Sequence, residues 1–70
     1  MIDLKNEKGL FLQDLCDVNG RCIHIRSDGD LETADLYDGC DRQVFKTVDE
    51  AIQWEAGYVK AREYIETLSL

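Results

Sequence analysis

Residues 10–25 read LFLQDLCDVNGRCIHI, two apolar stretches on either side of Asn19-Gly20. Asn-Gly is the pair that a two-residue type I′ turn favours, because both central residues of that turn need a positive φ. In the second stretch, residues 22–26 alternate in the manner of a strand. The sequence therefore predicts a β-hairpin, with residues 10–18 as its first strand and Asn19-Gly20 as its turn.

A two-residue turn also fixes which side chains share a face of the predicted hairpin. It pairs Val18 with Arg21 and Cys16 with Ile23, and alternation along each strand assigns the remaining positions. The predicted core face carries Leu10, Leu12, Cys16, Val18, Ile23, Ile25, Ala34 and Leu36.

Two more turn signals follow along the chain, Asp28-Gly29 and Asp38-Gly39. They separate two further runs of strand character, residues 31–37 and residues 43–46. Residues 10–46 are therefore expected to form a small antiparallel β-meander of three or four strands.

The last third of the chain predicts one long helix over residues 48–68. Residues 47–50, TVDE, fit a capping box, in which the Thr47 hydroxyl accepts the amide of Glu50 and Glu50 reaches back. The positions that follow have the three-and-four spacing of an amphipathic helix: Ala51, Trp54, Tyr58, Ala61, Ile65 and Leu68. The expected fold class is α+β, with this C-terminal helix packed on one face of the sheet.

A second apolar row lies beside the first on the predicted helix. It is formed by Val48, Ile52 and Val59, and the polar residues Glu55, Arg62 and Glu66 lie between the two rows. One row is enough to cover a sheet, so these six positions form a candidate surface for a second copy of the chain or another partner. The alternative is that the apolar residues cover the rim of the sheet and that Arg62 and Glu66 form a surface i,i+4 pair.

Length and charge limit the function classes. Seventy residues allow a single domain, residues 1–70, in which residues 1–9 add an edge strand or fray. Fifteen acidic and eight basic side chains give a net charge of −7, which argues against direct binding to nucleic acid or to an anionic membrane. No signal peptide or transmembrane stretch is recognisable, and three cysteines cannot pair completely, so a cytoplasmic location is expected.

The negative charge is concentrated in the middle of the sequence. Residues 27–50 carry eight acidic side chains against Arg42 and Lys46. A concentrated field steers a basic partner, and carboxylates at every second residue can imitate phosphates. The candidate partner-binding residues are Asp28, Asp30, Glu32, Asp35, Asp38 and Asp41. The alternative is that these acids serve only solubility.

One pair of residues has the chemistry of a metal site or a nucleophile. Cys22 and His24 lie on the same face of a predicted strand, with Asp17 and Asp35 beside Cys22 in the predicted register. Their spacing matches no common zinc motif, and a flat sheet face offers neither a pocket nor an oxyanion hole. Ordinary cross-strand packing accounts for them better, so no metal, cofactor or catalytic residue is predicted.

Gly39-Cys40, a short strand at residues 43–46 and the helix opening at residues 47–51, TVDEA, follow one another in this chain. This order is similar to HicB-type antitoxins, although the match covers less than a third of the chain and Asp38 stands where those proteins usually have proline. The resemblance implies an antitoxin-like module that neutralises a small toxic ribonuclease. In its small size, acidity and compact build, the chain also resembles phage-encoded inhibitors of host defence, including anti-CRISPR proteins.

The sequence thus predicts a non-enzymatic inhibitor that binds a basic, nucleic-acid-binding surface on a partner protein or nucleoprotein complex. If it is phage-encoded, it acts in the bacterial cytoplasm. The alternatives are the antitoxin-like module and a housekeeping homodimeric adaptor whose charge serves solubility.

Overall fold

The computed structural model describes residues 2–37 and 39–68, apart from the side chain of Val59. It is a small α+β structure with a three-stranded antiparallel sheet in the order β1-β2-β3. The elements are α1 (Glu7–Asn19), β1 (Arg21–Ile25), β2 (Leu31–Asp35), β3 (Gln43–Phe45), α2 (Val48–Ala56) and α3 (Val59–Leu68).

The predicted first strand is wrong, because residues 10–18 lie within helix α1. The Asn6 side chain caps this helix by accepting the Gly9 amide at 2.8 Å. Gly20 ends it in the left-handed conformation, at φ 70°, and donates its amide to the carbonyls of Asp17 and Cys16. A positive φ at glycine suits a helix C-terminus as well as a hairpin, so Asn19-Gly20 stops a helix here instead of turning a strand.

Spacing along α1 explains why the helix is preferred. Leu12, Leu15, Cys16 and Asn19 are buried, and their i, i+3, i+4, i+7 positions share one helical face. A strand would have placed Leu12 and Leu15 on opposite faces of the sheet. Leu10, which the sequence assigned to the core, is instead exposed.

The second predicted turn is present, but its loop has one residue more than expected. Arg26 donates its amide to the Asp30 carbonyl at 2.7 Å, and Gly29, at φ 92°, donates to the Arg26 carbonyl. The loop therefore spans residues 27–29, as in a type I turn closed by a glycine bulge.

This extra residue shifts the register of the sheet. Ile25 pairs with Leu31 and Ile23 with Thr33, so Leu31 and Thr33 lie on the core face. Ala34 pairs with Cys22 on the opposite face, and Leu36 is exposed. The assignment of Ala34 and Leu36 to the same face as Ile23 and Ile25 is therefore wrong, because a one-residue slip exchanges the two faces of a strand. Ala34 is nevertheless buried.

The predicted C-terminal helix starts as expected but is not continuous. Thr47 caps α2 and accepts the Glu50 amide at 3.2 Å, which confirms the predicted cap. The Glu50 carboxylate reaches back to the Lys46 amide rather than to Thr47. α2 ends at Ala56 and α3 begins at Val59.

The break between α2 and α3 is explained by a side chain from α1. Asn19 donates its amide group to the Glu55 carbonyl and accepts the amide of Ala61, both at 3.0 Å. In a continuous helix the Glu55 carbonyl would accept the amide of residue 59, and the Ala61 amide would donate to residue 57. Asn19 thus replaces two bonds of the helical ladder, one of the recognised causes of a sharp kink.

The core lies between the helices and one face of the sheet. Its buried members are Leu12, Cys16, Leu31, Phe45 and Ala51, with Ile2, Leu4, Ile23, Val48, Ile52 and Trp54 packed around them. Residues 2–6 contain no strand, and Ile2 and Leu4 cover this core instead. Within residues 2–37 and 39–68, no helix is long and apolar enough to cross a membrane.

Candidate interaction surfaces

The carboxylates of the predicted acidic segment contact cations of the same chain. Asp28 lies 3.2 Å from Arg26, and Asp30 lies 2.7 Å from Lys46. The Asp30 amide, followed by the nearby Arg26 and Lys46 charges, lowers the pKa of Asp28. The hydrogen bond to Asp30 raises the pKa of Lys46. These two carboxylates are therefore partly neutralised within the fold.

Glu32 lies on the sheet face that is opposite the core, yet it is buried. Its carboxylate lies 2.9 Å from the His24 ring, 3.6 Å from Arg26 and 3.9 Å from Arg42. Asp28, Asp30 and Glu32 therefore do not form a row of free phosphate-like groups, because each already has a cation of this chain beside it.

The other predicted acidic residues lie near the connection from β2 to β3. Asp35 contacts Arg21 at 2.8 Å. Asp41 is exposed, has a positive φ of 49°, and uses its carbonyl to accept a bond from Arg21 at 2.6 Å. Asp38 lies outside the described residues.

The predicted helical row is divided among different environments. Val48 and Ile52 are half-buried and pack on the core, and Glu55 is fully buried. Arg62 and Glu66 are exposed on α3, beyond the break. The side chain of Val59 lies outside the described part of the structure. The described members of the row therefore do not form one continuous surface.

A buried polar network, centred on Arg21 and Glu55, was not predicted from the sequence. Both side chains are fully buried, and Arg21 Nε donates to Glu55 Oε2 at 3.0 Å. Thr33 Oγ1 donates to the same carboxylate, and Asn19 Nδ2 donates to its other oxygen, each at 3.0 Å. Among the described residues, no buried side-chain nitrogen or oxygen lacks a hydrogen-bond partner.

The remaining contacts of Arg21 complete this network. One terminal nitrogen donates to Asp35, and the other donates to Thr33 and to the Asp41 carbonyl. The guanidinium also lies 4.5 Å from the centre of the Trp54 ring. Burial alone would lower the pKa of Arg21, but Glu55 and the hydrogen bond to Asp35 together outweigh it and raise that pKa. The group therefore stays charged, and its donors are used within the fold.

Once the register of the sheet is known, the sequence does contain signals for this network. Arg21 alternates with Ile23 on β1, and Thr33 alternates with Leu31 on β2, so both belong to the core face once the register is known. Glu55 lies four residues after the buried Ala51 on α2. Polar residues at core positions indicate either a network or a functional site.

The three cysteines lie in different environments. Cys16 is buried in the core, Cys22 is half-buried, and Cys40 is exposed. Burial, with a smaller effect of Glu55, raises the pKa of Cys16 to about 12, so its thiol is protonated at neutral pH. Among the described residues, no cluster of three or more histidine, cysteine or acidic side chains could hold a metal ion.

The outward side of α1 has a different character from the sheet. Leu10 is 54% exposed and Phe11 is 38% exposed. Glu7, Asp14 and Asp17 are also exposed, and none of them forms an ion pair with a described residue. At about 100° per residue these five positions span roughly 120° of the helix, on the side opposite the buried residues. We call Glu7, Leu10, Phe11, Asp14 and Asp17 the α1 outer surface.

The chain was also compared with known proteins. The comparisons with protein-family models, with curated proteins and with solved structures found no match.

Proposed function

We propose that this protein is a non-enzymatic interaction module that binds a basic surface of a partner protein and inhibits that partner by occupying it. The net charge of −7 supports a basic partner. The cations of the sheet already contact Asp28, Asp30, Glu32 and Asp35. The observation that carries the proposal is that α1 presents exposed apolar side chains beside carboxylates that form no ion pair with any described residue.

The hydrogen bonds of the buried ionisable groups support a function without catalysis. Arg21 donates to Glu55, Thr33 and Asp35. Glu55 accepts from Arg21, Asn19 and Thr33. A catalytic acid, base or oxyanion donor needs free capacity directed at a substrate. This network directs its polar atoms inward, which is typical of a structural role.

The finer proposal is that the occupied surface normally holds nucleic acid, as in the phage inhibitors of host defence that the chain resembles. An acidic domain competes with a phosphate backbone for the same lysine and arginine side chains. The inhibitor would then block nucleic-acid binding without contacting nucleic acid itself.

A two-step experiment tests this function. The tagged full chain first captures proteins from cells of its source, and each captured protein is then purified and measured alone. We expect a basic partner whose association rate falls as salt is raised, because screening shortens the reach of charge to about 8 Å near physiological ionic strength. Addition of the partner's nucleic acid should compete with the protein. A purified partner whose binding ignores both salt and nucleic acid would overturn the proposal.

The antitoxin-like alternative is supported by the order of elements around Cys40. Strand β2, Gly39-Cys40, strand β3 and the Thr47-capped helix α2 follow one another, as the resemblance to HicB-type antitoxins implies. This alternative predicts that a small ribonuclease encoded beside the protein stops cleaving RNA when the protein is added. The inhibitor of a nucleic-acid-binding complex would leave that cleavage unchanged.

The homodimeric adaptor remains a third proposal. It needs an interface other than the Val48 and Ile52 row, because both residues pack on the core. Sedimentation at micromolar concentration tests it, because the adaptor requires a dimer and a monomer would rule it out.

A further inference from the structure

Helix α1 has apolar residues on both of its sides. The inner side is buried through Leu12, Leu15 and Cys16, and it accounts for the folding of the helix. Leu10 and Phe11 are not among the residues packed on the core cluster, and each leaves more than a third of its surface in water. Two exposed apolar side chains do not by themselves mark a binding surface, so the charges around them decide what would cover them.

We infer that the α1 outer surface is the docking surface, and that it fits an apolar cleft edged by lysine and arginine on a partner protein. This inference rests on the proposed function and names the surface that performs it. Leu10 and Phe11 would enter the cleft, while Glu7, Asp14 and Asp17 would meet the cations around it. Leu10, Asp14 and Asp17 are spaced i, i+4, i+7, so the apolar anchor and the two acids lie on one side of the helix.

The charges around Leu10 and Phe11 select this occupant over others. A second copy of the chain, docked through the same surface, would bring Glu7, Asp14 and Asp17 against the same acids of its partner. Like charges in contact disfavour such a dimer. An anionic membrane and a nucleic acid are disfavoured for the same reason. A basic protein surface is the occupant that complements both the apolar and the acidic residues.

The helix is held rigidly enough to dock without rearrangement. Asn6 and Gly20 cap its two ends, and its inner side packs against α2, α3 and β1. Lys8 at its edge contacts Asp49 of α2 at 3.0 Å. A rigid helix loses little conformational entropy when it binds, which favours affinity.

A fluorescently labelled amphipathic peptide of leucine and lysine serves as a probe with the inferred chemistry. A polylysine peptide of equal charge, which has no large apolar side chains to insert, serves as its control. We expect the full chain to bind the leucine–lysine peptide more tightly. In a nuclear magnetic resonance titration, the largest amide shifts should fall on α1.

Substitution then tests the surface itself. The double variant Leu10→Gln, Phe11→Gln should bind the leucine–lysine peptide about tenfold more weakly, because apolar anchors dominate such interfaces. The matched control is Leu36→Gln, Val44→Gln, which changes two side chains of similar exposure that are not part of the α1 outer surface. All four residues are exposed, so circular dichroism should show that both variants fold.

The outcomes separate the inference from the proposed function. If the control variant loses as much affinity as the α1 variant, or if the amide shifts lie away from α1, the docking surface is elsewhere and the inference is wrong, while binding to a basic partner still stands. If the wild-type chain binds neither peptide, the proposed function fails and the inference fails with it.

Discussion

The carboxylates in and beside the sheet differ from those of α1 in whether a cation of the same chain lies next to them. Asp28, Asp30, Glu32 and Asp35 each lie within 4 Å of a cation of the same chain. The three acids of the α1 outer surface form no ion pair with a described residue. The sequence shows the reverse pattern, since residues 27–50 carry a net charge of −6 and residues 1–26 are neutral.

The difference arises because folding moves charges between segments. Arg21, Arg26 and Lys8 belong to the neutral N-terminal part of the chain, yet their partners are Asp35, Glu55, Asp28, Glu32 and Asp49. The bases of the first segment therefore neutralise the acids of the later ones. Three acids of the first segment, Glu7, Asp14 and Asp17, lie on α1 and form no ion pair with a described residue.

The largest loss of stability is expected from removing the buried ion pair between Arg21 and Glu55. Arg21→Met should lower the free energy of unfolding by about 3–5 kcal/mol, because it leaves Glu55 buried without its cation. Urea denaturation measures the change, and Arg62→Met is the matched control because Arg62 is exposed on α3. A loss no larger than that of the control would show that the network does not anchor the fold.

The inner side of α1 gives a pH-dependent prediction. The pKa of Cys16 is about 12 in the fold against an ordinary value of 9.0, so the unfolded chain loses this proton first. Stability should therefore be independent of this group below pH 9 and fall above it, by up to about 1.4 kcal/mol per pH unit. Thermal melts between pH 8 and about pH 11 should show a shallower decline for Cys16→Ala than for the wild type. Equal slopes would contradict the burial of this thiol.

A small loss of stability is expected from removing the exposed ion pair between Asp30 and Lys46. Asp30→Asn removes the carboxylate that contacts Lys46 at 2.7 Å. Because the Lys46 side chain is largely exposed, the loss of stability should be much smaller than that of Arg21→Met. The difference in stability from wild type should shrink further in high salt. A loss as large as that of Arg21→Met would show that the exposed and the buried ion pairs contribute equally to stability.

Local signals predicted only part of this fold. The Thr47 cap and the start of α2 were predictable because the residues that form the cap, Thr47 and Glu50, are close together in the sequence. The strand character of residues 22–26 and 31–37 was also recognisable, and these runs overlap β1 and β2. Helix α1 was missed because a glycine with positive φ fits both a hairpin turn and a helix end, and the apolar residues 10–18 fit either element.

The break in the C-terminal helix depends on a contact that no local pattern contains. Asn19 reaches Glu55 across 36 positions of sequence, and it joins the network that buries Arg21. The acidic candidate residues were identifiable as a cluster in sequence, but their cations come from other elements. The α1 outer surface was missed because Leu10 had been assigned to the core of a strand that does not form.

Two triple variants with equal charge changes test the central claim most directly. One is Glu7→Gln, Asp14→Asn, Asp17→Asn on α1, and the other is Asp28→Asn, Asp30→Asn, Glu32→Gln on the sheet. Each removes three negative charges and changes the net charge from −7 to −4. The free energy of unfolding and the affinity for the leucine–lysine peptide are measured for both.

We expect the α1 variant to lose affinity but not stability, and the sheet variant to lose stability but not affinity. The α1 variant should keep its stability within about 0.5 kcal/mol, as is usual for surface substitutions, and lose most of its affinity for the peptide. The sheet variant should lose stability, since it breaks the contacts of Glu32 with His24, Arg26 and Arg42, but keep its affinity. Equal losses of affinity in the two variants would mean that the partner responds only to net charge, and a loss confined to the sheet variant would return the binding site to residues 28–41.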